Sequence, residues 1–252
     1  MRLGNKYMVA AALLLMLAPA RTLLAADDKD KTLPKPPAAA ASAETKETIL
    51  RKLDMAAKNF RTATADFQFH SIQTDPVFDD EVQEGTVYYE RLGASCQMAG
   101  HIAKVNGKPV PKIYTYAHGV FRLFEKMIDQ ITTFKTGNKA EGYVILGFGA
   151  SGKDLEEKWE IKYLGPEALP DGKLSVKTEK LELVAKDPEV RKNISKVLVW
   201  IDPERAISLK QIIYEGPSER RENFFFDIKV NEPQPADAYT FKTDSKTQFV
   251  NH

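Results

Sequence analysis

Apolar residues follow two different periods along the chain. Between residues 46 and 60 they recur every three to four positions, which is typical of an amphipathic helix. The residues on this apolar side are Ile49, Leu50, Leu53, Ala57 and Phe60. The opposite side is charged, and Ser42 with Glu44 in the first turn provides the expected N-terminal cap. From residue 66 the period changes to two, as Phe67 and Phe69 alternate with Asp66, Gln68 and His70, which predicts a strand.

Alternating runs and turn signals then continue to the end of the chain. Ser95 to Val105 is predicted to be a strand, and Asn106-Gly107 directly after it and His118-Gly119 further along predict hairpin turns. Near the end, Phe224, Phe226, Ile228 and Val230 alternate with polar residues, although Phe225 interrupts the polar side. Tyr239 to Lys242 predicts a short closing strand. About eleven strands in all favour a mostly β, antiparallel sheet, which is more than an open twisted sheet usually holds without curling. The helix is expected to lie across that sheet.

The first 42 residues have a different character. Residues 1–26 begin with Arg2 and Lys6, continue through an apolar run and end in small residues, which predicts a secretory signal peptide rather than a membrane anchor. Residues 27–42 are rich in proline and alanine without apolar periodicity, which predicts a flexible tether. Residues 43–252 are expected to form one globular domain of an exported protein, soluble after signal cleavage.

Charge and composition exclude several classes of function. Loss of the leader removes three of 36 basic residues and none of 35 acidic ones, and a net charge of −2 provides no field for nucleic acid. Cys96 is the only cysteine, so no internal disulfide can form, and it is expected to be a small buried residue rather than a nucleophile. The four histidines lack paired ligand spacing. We therefore expect no metal, no cofactor and no enzyme activity.

The glycine-rich segment from Gly147 to Gly152 matches the spacing of a dinucleotide-binding loop. That motif requires a parallel unit and a long helix, whereas the helix predicted after Gly152 has barely two turns and its neighbours are antiparallel. We interpret Gly147, Gly149 and Gly152 as parts of a mobile loop that belongs to a lid.

Large apolar residues occur on both faces of several strands. This pattern fits an ordinary sandwich core and fits equally well a sheet curled around an apolar hollow. If the hollow exists, the candidates for its lining are aromatic: Phe67, Phe69, Tyr89, Trp159, Trp200, Phe224 and Phe226.

The order of these parts resembles the LolA family of periplasmic lipoprotein carriers, especially its divergent LolA-like members. The resemblance covers residues 44 to 245. It is carried by Ala65-Asp66-Phe67-Gln68, Gly85 to Arg91, His118-Gly119, Leu181 to Lys186 and Val199 to Asp202.

The resemblance implies a half-open β-barrel, closed by a short helical lid, whose cavity carries lipoprotein acyl chains to the outer membrane. It also implies an inner-membrane release complex, an outer-membrane acceptor and a monomeric carrier. Arg91 matches the arginine that tethers the lid in the family. Ile49, Leu53 and Phe60 would be the other contacts of the lid and helix. Leu92-Gly93 stands where the family has a proline. Alternatives are a lipid-sensing or structural envelope module of the same fold, and an Arg91 that only ends a strand in solvent.

Overall fold

The computed structural model describes residues 45–93, 95–135 and 145–252. The predicted signal peptide, the tether and Ser42 fall outside these ranges. The helices are α1 Lys46–Asn59, α2 Gly152–Lys158 and α3 Pro188–Arg191, with a 3-10 turn at Ile145–Gly147. The strands are β1 Thr62–Gln73, β2 Asp79–Leu92, β3 Ser95–Val105, β4 Lys108–Ala117, β5 Val120–Glu125, β6 Gln130–Lys135, β7 Trp159–Asp171, β8 Leu174–Ala185, β9 Lys196–Asp202, β10 Ile207–Tyr214, β11 Glu219–Val230 and β12 Gln248–Asn251.

The twelve strands found within these ranges join one sheet in the order β12-β6-β5-β4-β3-β2-β1-β11-β10-β9-β8-β7. Neighbouring strands are antiparallel, apart from β12, which runs parallel to β6. The prediction of a mostly β chain with an antiparallel meander is therefore confirmed. Within the described ranges, no helix is both long enough and apolar enough to span a bilayer.

The two predicted hairpin turns have the backbone that their residues favour. Asn106 and Gly107 have φ of 50° and 72°, and His118 and Gly119 have φ of 50° and 71°. Such pairs of left-handed residues twist a two-residue turn in the same sense as the strands it joins. His118 therefore serves the turn.

Helix α1 buries the apolar side that its periodicity predicts. Ile49, Leu50, Leu53 and Ala57 are buried, as is Phe60 just beyond the last turn. Its N-cap is Thr45, whose Oγ1 accepts a hydrogen bond from the amide of Thr48 at 3.3 Å. Thr45 thus takes the capping role that the sequence analysis gave to Ser42.

The prediction of a closing strand at Tyr239 to Lys242 is wrong. This segment turns, because the amide of Thr240 donates to the carbonyl of Asp237, and the Tyr239 hydroxyl donates to Gln234 at 2.7 Å. The closing strand is β12, nine residues further along than Tyr239. Its four residues are too few for alternation to reveal.

A bulge in β11 overturns the predicted alternation of its side chains. Phe225 lies opposite Phe67 of β1, whereas Val230 lies opposite Ala63, and two residues stand opposite one between these pairs. Asp227 of the bulge has φ of 51°. Because the extra residue exchanges the two faces, Phe225 and Val230 share a face although their numbers differ in parity. Phe224 and Phe226 consequently lie on the other side, opposite Gln68 and Asp66.

The strands from β11 to β7 do not lie flat. Three strands separate β11 from β7, and a flat sheet would hold them about 19 Å apart at ~4.8 Å per strand. The amide of Ile228 in β11 nevertheless donates to Asp171 Oδ1 at the end of β7, at 3.1 Å. Asp171 Oδ2 also accepts from Arg205 Nη1 at 2.8 Å, and Arg205 Nε donates to Asp202 at 2.6 Å. One buried carboxylate therefore joins β7, β11 and the turn between β9 and β10.

Replacing this carboxylate tests how much the contact contributes to stability. Asp171→Ala leaves the amide of Ile228 and one side of Arg205 without their shared acceptor. We expect the free energy of unfolding to fall by about 2 to 3 kcal/mol, as for hydrogen bonds to a buried charged group. Urea denaturation measures this change. In the control, Asp237→Ala, the lost ion pair with Lys242 is exposed, and we expect a change within about 0.5 kcal/mol. Equal losses in the two variants would contradict a special role for Asp171.

Candidate functional site

The candidate site is the face of the sheet that we call the inner face, defined by Phe67, Tyr89 and Phe225. These residues come from the adjacent strands β1, β2 and β11 and are buried. Their register keeps them on one side, because Ala63 lies opposite both Tyr89 and Val230, and Phe67 opposite Phe225. Burial raises the pKa of the Tyr89 hydroxyl, which stays neutral at ordinary pH. The centre of this face is therefore aromatic and uncharged.

Phe148 inserts between these aromatic rings from the segment that follows β6. Its ring stacks on Tyr89, with centroids 5.8 Å apart, and meets the ring of Phe225 edge to face at 5.2 Å. The backbone is fixed beside it, since the amide of Gly149 donates to the carbonyl of Ala206 at 2.7 Å. Only 3% of Phe148 is exposed, so its ring fills the apolar space over Tyr89 and Phe225.

Glycine allows this segment to pass close to helix α1. Gly149 has φ of 71°, and a Cβ at this position would overlap the ring of Phe60. A Cβ at Gly152 would overlap the backbone carbonyl of Leu50. The spacing that resembled a nucleotide-binding loop therefore reflects close packing of backbone against α1.

Helix α2 is fixed at its start and joined to α1. Ser151 and Asp154 form a capping box, with the amide of Asp154 donating to Ser151 Oγ at 3.0 Å. The amide of Lys153 donates to Asp54 Oδ1 on α1 at 3.1 Å. Residues 46–60 and 145–158 thus pack together over the inner face, and we call these two segments the cover.

Arg91 links the cover to the sheet. It follows Tyr89 by two residues in β2 and so projects to the inner face. Its Nη1 donates to the carbonyl of Ala57 near the end of α1 at 2.9 Å, and its Nη2 donates to the carbonyl of Gly149 at 2.5 Å. One planar guanidinium thereby holds both segments of the cover, which an ammonium group of a single nitrogen could not do with the same geometry.

The candidate residues named from the sequence lie in three places: in the cover, on the inner face and on the opposite, outer face of the sheet. Ile49, Leu53 and Phe60 are buried in the cover, beside the carbonyl that Arg91 binds. The inner face carries four of the aromatic candidates, namely Phe67, Phe69, Tyr89 and Trp159. The outer face carries the other three, namely Trp200, Phe224 and Phe226.

The register places Trp200 on the outer face, opposite Lys210 of β10, and its neighbours there are polar. The amino groups of Lys180 and Lys210 lie 4.4 and 4.8 Å from its ring, and its Nε1 donates to Glu167 at 2.6 Å. Lys210 also lies over the ring of Phe224. Trp200 and Phe224 cover the aliphatic parts of these lysine side chains and contact their charged amino groups. The apolar periodicity of a strand does not show whether an aromatic residue contacts a lysine or a ligand.

The predicted mobile loop is buried in this structure. Gly147, Gly149 and Gly152 all lie against α1 or the sheet. Their movement stays a prediction.

Four residues that contribute to this site were not named as candidates from the sequence. Phe148 lay hidden inside the glycine motif, and Phe225 was the apolar residue that interrupted a polar alternation. Gln211 and Asn223 are buried amides, opposite each other on β10 and β11. Only the interruption at Phe225 was a visible signal, since it marks the bulge.

The remaining titratable candidates have local partners. His101 Nε2 contacts the carbonyl of Ala238 at 2.8 Å, and His70 Nδ1 lies 3.0 Å from Asp80. Cys96 is buried opposite Arg91 on β3. In residues 45–93, 95–135 and 145–252, no cluster of three or more His, Cys, Asp or Glu side chains has the arrangement of a metal site.

Comparison with known proteins relates this chain to others by structure alone. No protein-family model matches the sequence, and no curated protein matches it either. A solved structure of an uncharacterised conserved protein from Thermus thermophilus has a TM-score of 0.50 and 10% identity, over 82% of this chain and 98% of that one. This chain therefore shares the fold of that protein.

Looser structural matches include a LolA-superfamily protein and MucB. A LolA-superfamily protein from Nitrosomonas europaea matches with a TM-score of 0.38 and 14% identity, over 79% of this chain and 99% of that one. MucB in the MucA/MucB complex of Pseudomonas aeruginosa matches with a TM-score of 0.45 and 9% identity, over 78% of this chain and 61% of that one. The predicted resemblance is confirmed in that LolA-superfamily proteins are among the structural neighbours, at low sequence identity.

The packing of the cover can be tested at Gly152. In Gly152→Ala the added methyl group must push α2 away from the backbone of Leu50, and backbone cannot rotate aside as a side chain can. We expect a loss of about 1 to 2 kcal/mol, because the strain of overpacking exceeds the helix preference of alanine. Hydrogen exchange should become faster in residues 46–60 and 145–158 and stay unchanged in β8 to β10.

Gly216→Ala is the matched control. A Cβ at Gly216 would meet no atom within 4 Å. We expect this variant to unfold and exchange as the wild type does. The close packing of α1 and α2 would be refuted if both variants behaved alike.

Proposed function

We propose that this chain is a periplasmic carrier that shields acyl chains of lipoproteins, or of a related lipid, on its inner face and delivers them towards the outer membrane. The observation that carries the proposal is the Arg91 fork. A single side chain holds two segments over an aromatic surface through two hydrogen bonds to backbone. Breaking those two bonds is the smallest change that would release the cover, which would then act as a lid.

The energies of lid and cargo are comparable, which an exchange requires. An acyl chain of about sixteen carbons costs on the order of 10 kcal/mol to leave in water, at ~0.8 kcal/mol per CH2. Burial of Ile49, Leu50, Leu53 and Phe60 contributes at most roughly 6 to 12 kcal/mol. Because the two free energies are similar, an acyl chain that enters the inner face can displace the lid, and the lid can later displace the acyl chain.

The shape of the sheet supports a hollow rather than a flat surface. The bond between Ile228 and Asp171 brings β11 and β7 together across three strands. We propose that the sheet forms a half-open β-barrel, with β12 and β7 as its two free edges and the lid on its concave side. Phe67, Phe69, Tyr89 and Trp159 would line the space, together with Phe225 and the part now filled by Phe148.

The names of the structural neighbours agree with a role in the cell envelope. They include a LolA-superfamily protein, and a MucB that forms a complex with MucA. For this chain we propose export to the periplasm, a monomeric state and transfer between an inner-membrane release complex and an outer-membrane acceptor. A module of the same fold that binds a lipid or a protein partner without transport is the competing outcome of the following test.

The Arg91→Leu variant tests the function. Loss of both hydrogen bonds should raise the population with the lid open, and a fluorescent fatty-acyl probe should then bind about tenfold more tightly, since apparent affinity scales with the competent fraction. Handover of a bound lipoprotein to acceptor membranes should become slower, because the open lid no longer displaces the cargo. Probe titration and a transfer assay measure the two effects.

Arg61→Leu is the matched control. Arg61 Nη1 also donates to carbonyls at the end of α1, those of Lys58 and Phe60, but it does not join α1 to β2 or to the glycine segment. We expect its probe affinity to equal that of the wild type. Unchanged affinity and handover in folded Arg91→Leu would remove Arg91 from the mechanism, and tight acyl binding without handover by the wild type would favour a sensor. A wild type that binds no acyl probe would refute the carrier altogether.

A further inference from the structure

Two amide side chains lie in contact with each other in the middle of the inner face, beside its aromatic centre. Gln211 of β10 and Asn223 of β11 are directly opposite each other, and Asn223 Nδ2 donates to Gln211 Oε1 at 3.3 Å. They are 5% and 7% exposed. Their other neighbours in the same row are Phe69 of β1 and Val199 of β9.

A pair of buried amides is costly unless its hydrogen-bonding capacity is used. Each amide can donate two hydrogen bonds and accept two, and its transfer from water without partners costs about 1 to 3 kcal/mol. Two apolar side chains of similar volume would pack in this row without that cost. The amides therefore point to a role beyond packing.

The cover lies directly over this pair. A Cβ at Gly147 would lie 2.5 Å from Gln211 Nε2, so the bare backbone of Gly147 packs on that nitrogen. Displacement of residues 145–150 would uncover Nε2, which is a hydrogen-bond donor, on the floor of the hollow. An incoming oxygen atom would then take the space that Gly147 holds.

The polarity of the inner face changes along the strands at this pair. The rings of Phe67 and Phe225 lie on one side of the pair. Each is two residues from the row of the amides, Phe67 from Phe69 on β1 and Phe225 from Asn223 on β11. On the other side lies Arg221, whose Nε donates to Glu215 at 3.2 Å near the turn between β10 and β11. Burial raises the pKa of Glu215, while Arg221 lowers it. A molecule lying along the floor would meet apolar rings, then neutral amides, then an ion pair.

We infer that Gln211 and Asn223 bind the carbonyl group that joins an acyl chain to its head, so that the site selects acyl esters and amides over plain alkyl chains and fixes their direction. The chain would extend towards Tyr89, Phe67 and Phe225, and the head would lie towards Arg221. Gln211 Nε2 donates to the carbonyl oxygen, and Asn223 orients the Gln211 amide through its own bond to Oε1. This assignment rests on the proposed function and names the ligand class of that site.

The experiment compares two fluorescent lipids of equal chain length, one a monoacylglycerol with an ester carbonyl and the other its alkyl ether. We expect the wild type to bind the ester about three- to tenfold more tightly, which is the gain from one neutral hydrogen bond. The variant Gln211→Met with Asn223→Leu should bind both lipids equally. Gln68→Met, which changes a glutamine of β1 on the outer face, should keep the wild-type preference.

A second measurement does not depend on the fold of the variant. With a 13C-labelled ester carbonyl, the infrared stretching frequency of the lipid bound to wild-type protein should lie below that of the same lipid in hexane, because a hydrogen-bonded ester absorbs at lower frequency. Equal binding of ester and ether by the wild type, or an unshifted carbonyl band, would overturn the inference and leave the carrier proposal standing. Failure of both lipids to bind would instead refute the proposed function.

Discussion

The apolar inner face has to be covered, and most of the unusual features of this chain follow from that constraint. A sheet that exposes Phe67, Tyr89 and Phe225 on one side would bind other apolar surfaces without selectivity. The chain covers them with its own residues, through α1 and the ring of Phe148. Because these two segments come from distant parts of the sequence, they need a common attachment point, and the fork of Arg91 provides one.

The nature of that attachment matters for function. Two hydrogen bonds from a half-buried arginine contribute less than the apolar contacts that they align, and they can be replaced by bonds to water when the cover moves. An attachment made of further apolar packing would open only at a much larger cost. The glycines serve the same design, since close approach at Gly149 and Gly152 leaves no room for interlocking side chains. The cover is thus tightly fitted yet held by few polar contacts.

Much of the fold could be predicted from local patterns. The amphipathic period of α1, the Asn106-Gly107 and His118-Gly119 turns and the alternation of β1 are properties of neighbouring residues, and the structure agrees with all of them. The faces of the later strands could not be predicted in the same way. The bulge at Asp227 exchanges the faces of β11, and the aromatic ring of Trp200 lies among lysines that come from two other strands. Both effects depend on pairing partners that a single strand does not reveal.

The site was the part of the molecule least visible in the sequence, for a related reason. A hollow is formed by residues that share a face in three dimensions, and its most informative members were the ones that broke a local rule. Phe225 broke an alternation, Phe148 stood inside a motif that suggested another chemistry, and Gln211 and Asn223 are polar residues where apolar ones would pack better. The bulge accounts for Phe225, and the close approach of the glycine segment to α1 accounts for the position of Phe148. The two buried amides have no such explanation from packing alone. A ligand that replaces Phe148 with an acyl chain and Gly147 with a carbonyl oxygen would contact the aromatic rings and the amides together, and it would explain why polar residues stand at Gln211 and Asn223.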